Sequence, residues 1–336
     1  MSFLFFRETP PPPARLTGSV ITPRVVLAAG LGLLGLVVSS GVAIYRHFHQ
    51  PHVFGLAAPK RPITVAAVSA QRYFASVAPR IAAPPCLPIM VDALGLADGV
   101  ALRAEAGEWH GSAVYLPGTD TIVAPLGDRT PVAVLAHERA HAIQDQYVPL
   151  DSLFAARTSF DGRAAVRAIL EGVAVMASDT TEGRRETNYG DDVLVNWERL
   201  AYVHGPVVVR AARARGRSLL AQTASPPTTT WELLFPEPLP ADRATPAAVA
   251  LNPEATLECT DELGALAVYT AAFRQSRSHV VAARVAYAWR GDRVDVYRLA
   301  GQRYARWTVR FSHNTPQVTA RWLTWYPPVP EATPRK

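Results

Sequence analysis

The chain has 336 residues, a formal net charge of +6 and 49% hydrophobic residues, enough to bury one large domain or two small ones. Its cations are mostly arginines spread along the chain, and they lack the interleaved aromatic residues of a nucleic-acid surface, which excludes nucleic acid as a partner. The two cysteines, Cys86 and Cys259, belong to no Cys-x-x-Cys pair, so a cysteine-bound zinc site is excluded. They can pair in an oxidising compartment, although their spacing does not indicate that they meet.

An uncharged segment of 21 residues covers positions 25–45. It is long enough to cross a bilayer as one helix, which predicts a single-pass membrane protein. Residues 1–24 are then expected to be cytoplasmic and residues 46–61 to form a linker, so that the following domain lies outside the cytoplasm. The alternative is a cleavable signal peptide, because residues 41–43 are small enough for a cleavage site, but the long segment before the apolar core favours an uncleaved anchor.

The first elements of the following domain are a helix and a hairpin. The pattern predicts a helix over residues 63–77 and two strands at residues 112–116 and 121–124, joined by a Pro-Gly-Thr-Asp turn. A strand directly before the next helix suits pairing with an extended peptide.

A His-Glu-x-x-His pattern follows the hairpin, with His137 and His141 four residues apart and Glu138 directly after the first histidine. Thr130-Pro131, as N-cap and first helical residue, predicts that a helix begins here. Residues four apart lie on one face of a helix, so both imidazoles can bind one Zn²⁺. Glu138 is then expected to be the general base that activates a water. Asp145, one turn after His141, is expected to accept the second N–H of a ligating histidine or otherwise to brace the site.

Zinc sites need a third protein ligand, and Glu171 is the best candidate. It lies in a predicted helix over residues 163–174, with Asp161 as N-cap. Small residues along this helix permit close packing against the His-Glu-x-x-His helix. An unpaired carboxylate in such an apolar stretch is costly, and coordination of a metal removes that cost. The alternative is an ion pair between Glu171 and Arg167, one turn earlier.

Downstream, hydrophobic periodicity predicts three helices and two closing strands, at residues 192–215, 229–235, 261–274, 292–299 and 303–311. We therefore expect an α+β fold, a helix-rich domain with a small antiparallel sheet over residues 62–326. The tail at residues 327–336 is expected to be disordered.

His204 is a further site candidate because it follows the Glu171 helix, two residues after Tyr202. A histidine or tyrosine at this place can donate a hydrogen bond to the oxyanion of a tetrahedral intermediate. The alternative is ordinary packing of both side chains.

The run from His137 to Gln146, with the Leu-Glu-Gly-x-Ala element at residues 170–174, resembles bacterial and archaeal secreted or membrane-anchored zinc metallopeptidases of the gluzincin type. The resemblance extends over about residues 112–300 and includes elements similar to the family's Tyr-x-x-Gly, Pro-Pro-x-Ser-Thr, Leu-Gly and Trp-x-Gly-Asp-Arg, at residues 202–205, 226–230, 263–264 and 289–293. Thr229, Phe235 and Ala288 depart from the residues usual in that family, but none is a predicted ligand. The resemblance implies a zincin-like fold with Zn²⁺ as cofactor.

Three hypotheses for the function follow. The first is a membrane-tethered, zinc-dependent peptidase that hydrolyses a peptide or protein substrate. The second is a non-catalytic, zinc-stabilised, membrane-anchored binding module on the same scaffold, and Glu138 disfavours it because a structural zinc site needs no base. The third is a metal-free role in which the histidines and Glu171 only pack. No pattern in the sequence specifies an oligomeric state.

Overall fold

The structure is a computed structural model that describes residues 53, 55–69, 87–94, 96, 113–126, 130–178, 189–235, 237–248 and 254–312. These residues form a mixed α+β structure with two three-stranded sheets. No helix within the described ranges combines the length and apolar character needed for a membrane span. The predicted span at residues 25–45 and the predicted disordered tail both lie outside those ranges.

The first sheet contains β1 (Thr64–Val68), β2 (Val114–Leu116) and β3 (Thr121–Pro125), in the order β1-β3-β2. The predicted hairpin is confirmed, because β2 and β3 pair antiparallel. The helix predicted over residues 63–77 is wrong for residues 63–69, the part of this range that the structure describes. There the stretch Thr-Val-Ala-Ala-Val, which has β-branched residues at both ends, pairs in parallel with β3. Helix α1 (Leu87–Ala93) lies between β1 and β2 in the chain.

Part of the predicted linker contacts the domain instead. The hydroxyl of Tyr147 donates to the carbonyl of Ala58, and Lys60 lies over the Tyr147 ring at 4.0 Å. The side chain of Gln146 accepts from the N–H of Arg61 and donates to its carbonyl, at 3.1 and 3.0 Å. The last residues before position 62 are thus held by side chains of the domain.

Three helices follow the first sheet: α2 (Val132–Tyr147), α3 (Leu150–Ala155) and α4 (Phe160–Ser178). Helix α2 begins one residue after Pro131, which stands at the cap position rather than inside the helix. Helix α4 is longer than predicted at both ends and passes through the core. Between Asp161 and Val175 every residue is buried except Arg163, Arg167 and Glu171, which follow one another at four-residue spacing.

The helical stretch predicted over residues 192–215 is observed as α5 (Val193–Arg199), a π-helical turn (Leu200–His204) and α6 (Gly205–Ala214). Helix α6 crosses α4 with almost no space between the backbones. A Cβ atom on Gly172 would lie 2.5 Å from the carbonyl carbon of Gly205, and one on Gly205 would lie 2.2 Å from the carbonyl oxygen of Ala168. The small residue at position 172 therefore serves the contact with α6 rather than with α2.

The second sheet closes the domain with β4 (Thr256–Asp261), β5 (Trp289–Leu299) and β6 (Gln302–Phe311), all antiparallel. The two closing strands are confirmed as β5 and β6, whereas β4 was not predicted. Helices α7 (Leu219–Ala224) and α8 (Trp231–Leu234) lie between α6 and β4 in the chain, and α9 (Gly264–Ser276) and α10 (His279–Tyr287) lie between β4 and β5. Cys259 on β4 is disulfide-bonded, and Cys86, the other cysteine of the chain, lies outside the described residues.

Asp292 on β5 holds the start of α9. Its carboxylate accepts hydrogen bonds from the N–H groups of Leu263 and Gly264, both at 2.9 Å, and from the indoles of Trp289 and Trp307 at 3.0 and 2.8 Å. Burial raises the pKa of Asp292, and these four hydrogen bonds oppose the rise by stabilising the charged carboxylate. The Leu-Gly and Trp-x-Gly-Asp-Arg elements of the sequence are therefore parts of one buried contact.

Asp161 ties the start of α4 to this region. One carboxylate oxygen accepts from the N–H and the hydroxyl of Thr230, at 3.0 and 2.6 Å, while the other is buried without a hydrogen-bond partner. Burial raises the pKa of Asp161 to about 8; the hydrogen bonds from Thr230 oppose this rise and the nearby carboxylate of Glu262 supports it. Asp161 does not act as the predicted N-cap, since α4 already begins at Phe160.

We predict that Asp161→Asn reduces the loss of stability at rising pH. In the unfolded chain this carboxyl titrates near 3.9, so wild-type protein loses stability as the pH rises from about 4 through the folded-state pKa near 8. An amide at this position stays neutral, so between pH 5 and 8 the variant should gain more than about 1 kcal/mol relative to wild type. Urea unfolding with a chelator present measures this difference. The exposed Asp151→Asn is the control, and equal pH dependence in all three proteins would contradict the prediction.

Candidate metal centre

The three predicted ligands converge on one point. His137 Nε2 lies 2.9 Å from Glu171 Oε2, His141 Nε2 lies 3.3 Å from the same oxygen, and the two Nε2 atoms are 3.1 Å apart. The imidazole rings stand nearly perpendicular, at 82°. Helix α2 supplies both histidines from one face, and the packing of α4 beside it supplies the carboxylate.

This arrangement suits a zinc ion. Bonds of about 2.0–2.1 Å in tetrahedral geometry place ligand atoms about 3.3 Å apart, close to the three observed distances. The side chains of His137, His141 and Glu171 are only 12–15% exposed, so most of their surface is shielded from solvent. Two histidines and one glutamate form a ligand set of catalytic zinc sites, in which the fourth position is left to water or substrate.

The same three groups attract a cation strongly. Burial disfavours the charged form of Glu171, but the two imidazoles outweigh it and hold the pKa of this carboxyl well below its usual range. Burial likewise opposes a charge on His141, yet Glu171 raises the pKa of this histidine to about 9. Without a metal the pair therefore shares a proton, and binding of a cation releases it.

Gln144 orients the second histidine. Its side-chain oxygen lies 2.9 Å from His141 Nδ1, while its amide nitrogen donates to the carbonyl of Leu170 and to the hydroxyl of Thr223. Because the amide nitrogen is used elsewhere, the oxygen must face the ring and accept its Nδ1–H. Once a cation displaces the proton shared with Glu171, Nε2 of His141 is then the nitrogen whose lone pair can bind the metal. The spacing of three residues after His141 is the signal in the sequence for this role.

Asp145, the predicted brace, makes other contacts. Its carboxylate accepts from the hydroxyl of Tyr115 and the N–H of Gly118, both at 2.7 Å, and from the N–H of Leu150 at 2.8 Å. These bonds hold the hairpin and the start of α3 against α2. Asp145 thus connects the hairpin and α3 to α2. The ligating His141 instead donates its Nδ1–H to the neighbouring Gln144.

Glu138 lies beside the ligands and bonds to none of them. One of its carboxylate oxygens accepts the backbone N–H of Tyr115 on β2 at 2.7 Å. Burial raises its pKa, although the two histidines oppose this effect. A partly buried carboxylate next to a cation site, with a raised pKa, has the properties of a general base.

His204 is turned away from the ligands. Its Nε2–H donates to the carbonyl of Leu233 at 2.7 Å, and burial lowers its pKa. Tyr202, on the same π-helical turn, instead lies near His137, with 6.2 Å between the ring centroids. Arg167 contacts the Tyr202 ring at 5.8 Å and pairs with Glu198 at 2.7 Å, so the alternative pairing of Arg167 with Glu171 is not observed.

Within the described part of the chain, His137, His141 and Glu171 are the histidine, cysteine or acidic side chains grouped closely enough to hold a metal ion. No protein-family model, curated protein or solved structure matches the chain. The assignment of a function therefore depends on the residues of this group and on their neighbours.

We predict that Gln144→Met weakens zinc binding about 10–100-fold, the usual cost of losing the hydrogen-bond partner of a ligating histidine. Methionine keeps the shape of the side chain but cannot accept the His141 proton strongly. Competition with a chromogenic chelator measures the affinity. The matched control is Gln146→Met, two residues later on the same helix, where the glutamine binds the Arg61 backbone instead. Equal affinity in both variants would contradict the role of Gln144.

Proposed function

We propose that the protein is a membrane-tethered, zinc-dependent peptidase with a zincin-like fold, and that it hydrolyses peptide bonds in a peptide or protein substrate. The observation that carries the proposal is the convergence of His137, His141 and Glu171 within 3.3 Å, with the unligated carboxylate of Glu138 beside them. A purely structural site would not need this second acid, which is not a ligand.

The residues divide the chemistry between them. When bound by His137, His141 and Glu171, Zn²⁺ supplies a Lewis acid that acidifies water and polarises the scissile carbonyl. Glu138 accepts the proton of the attacking water and later passes it to the departing amine, so that one carboxylate serves as base and then as acid.

Tyr202 is our candidate for stabilising the oxyanion, in place of His204. Its ring lies near His137 and its side chain hydrogen-bonds to Arg167, whereas His204 is turned toward the carbonyl of Leu233. Burial and the neighbouring Glu171 raise the pKa of Tyr202, so its hydroxyl keeps its proton and can act as a donor. Arg167, which contacts the Tyr202 ring, adds positive charge at the same place.

The substrate would pair with β2. Among the described strands, β2 lies at the edge of its sheet and pairs with β3 on one side. An extended peptide added to such an edge is held by main-chain hydrogen bonds, largely independent of its side chains. This arrangement supports a peptide as substrate.

A position outside the cytoplasm is part of the proposal, with residues 25–45 as the anchor. The uncharged length of that segment supports a single membrane span. The disulfide bond of Cys259 supports an oxidising compartment, since such bonds are rare in the cytosol.

Two substitutions test the proposed chemistry. Glu138→Gln should lower hydrolysis of a quenched-fluorescent peptide library about 10²–10⁴-fold, the usual contribution of a general base, while zinc content and melting temperature stay unchanged. Glu171→Ala should lose both hydrolysis and zinc. The exposed Glu237→Ala is the control and should behave as wild type. Zinc binding without hydrolysis by wild type would favour the non-catalytic binding module, and no zinc binding would favour the metal-free role.

The proposed topology predicts which cysteines a membrane-impermeant maleimide labels in intact cells. Arg215→Cys, an exposed position after α6, should be labelled without lysis. Ser2→Cys, before the proposed span, should be labelled only after lysis. If lysis is needed for both positions, the domain lies in the cytoplasm.

A further inference from the structure

Tyr115 joins β2 to helix α2 at two separate points. Its backbone N–H donates to Glu138 Oε2 and its side-chain hydroxyl donates to Asp145 Oδ2, both at 2.7 Å. The two acceptors lie seven residues apart, which is two turns of helix α2. A single residue of the edge strand therefore spans the stretch of α2 that carries the second histidine.

The acceptor of the hydroxyl is itself held firmly. Asp145 Oδ2 also accepts the N–H of Gly118 in the hairpin turn, and its Oδ1 accepts the N–H of Leu150 at the start of α3. Hydrogen bonds to a carboxylate are about twice as strong as neutral ones. Asp145 thus offers Tyr115 a fixed point on the helix rather than a mobile surface group.

The ring between these two contacts is buried. Tyr115 is 4% exposed and packs in a small apolar cluster that includes Ile122 of β3 and Ala142 of α2. Burial and the Asp145 carboxylate raise the pKa of the Tyr115 hydroxyl, so it remains a proton donor at physiological pH. With the ring packed and the hydroxyl bonded, the backbone of Tyr115 has little freedom to shift along or away from α2.

The backbone of Tyr115 faces both the base and the open edge of β2, where a substrate would pair. In a β-strand the N–H and C=O of one residue point to the same side. Because the N–H of Tyr115 points to Glu138 and away from β3, its carbonyl also faces the open edge of β2. A movement of Tyr115 would therefore displace both the carboxylate of Glu138 and the strand to which a substrate would pair.

We propose that Tyr115 is a positioning residue: its hydroxyl, anchored on Asp145, holds the edge strand so that the backbone N–H orients the carboxylate of Glu138. The inference rests on the proposed function, in which Glu138 is the base.

The test compares two tyrosine-to-phenylalanine variants of the full chain in detergent. Tyr115→Phe removes the bond to Asp145, while the matched control Tyr147→Phe removes a hydroxyl bond from the same helix to Ala58, remote from Glu138. With the quenched-fluorescent peptide library as probe, Tyr115→Phe should lower kcat about tenfold, equal to about 1.4 kcal/mol, with KM changed less than about twofold. Zinc content should stay equal in both variants. Tyr147→Phe should keep the wild-type kcat.

Action through Asp145 is tested by a double-mutant cycle. In an Asp145→Ala background, Tyr115→Phe should have no further effect on kcat, because the hydroxyl has already lost its acceptor. A full tenfold loss in that background would overturn the link, as would an unchanged kcat in Tyr115→Phe while wild type is active.

Amide hydrogen exchange at Tyr115 gives a readout that needs no catalysis. Exchange should be about tenfold faster in Tyr115→Phe and unchanged in Tyr147→Phe, if the hydroxyl holds the N–H against Glu138. Unchanged exchange in Tyr115→Phe would overturn the inference even if Asp145→Ala does not fold. If Tyr115→Phe exchanges faster but the wild-type protein hydrolyses no peptide, the proposed function is overturned. The link from Asp145 through Tyr115 to Glu138 would then still hold.

Discussion

The buried passage of α4 through the core is the constraint on which the site depends. From Asp161 to Val175 this helix exposes only Arg163, Arg167 and Glu171, and its backbone nearly touches that of α6 at Gly172. The contact sets the position of α4 against α6, because a side chain at either glycine of the crossing would meet backbone atoms. Glu171 is therefore presented at one place only, against the two histidines of α2.

Four consecutive residues at the end of α2 each bind a different part of the protein. Successive residues are turned by about 100° around a helix, so Gln144, Asp145, Gln146 and Tyr147 each face a different neighbour. They bind, respectively, a ligating histidine, the hairpin, the backbone at Arg61 and the carbonyl of Ala58. This short stretch connects the metal centre with the edge strand and with the chain that arrives from the N-terminal side.

A second buried centre holds the domain together at a distance from the metal ligands. The carboxylate of Asp292 accepts four hydrogen bonds, two of them from backbone N–H groups at the start of α9. Asp161 connects the start of α4 to Thr230. Gly264 has a positive φ of 83°, and a Cβ there would lie 1.7 Å from the carboxylate of Asp161. The glycine is required because two carboxylates and a helix start share this space.

The sequence by itself determined the parts of the site that depend on local periodicity. Spacing four residues apart on one helix is sufficient to pair His137 with His141, and the apolar context of Glu171 is sufficient to single it out, because an unpaired charge there is costly. Likewise, the turn residues after Leu116 predicted the hairpin correctly.

Tertiary structure decided the contacts that join distant segments. The choice of Gln144 over Asp145 as partner of His141 depends on where Leu170, Thr223 and Tyr115 lie, and none of these is local to α2. His204 turns toward the carbonyl of Leu233, 29 residues later in the chain. Residues 64–68 form a strand rather than a helix because β3 is available as a pairing partner. Hydrogen-bond partners far apart in the chain leave no periodic signal, so only the folded arrangement could select them.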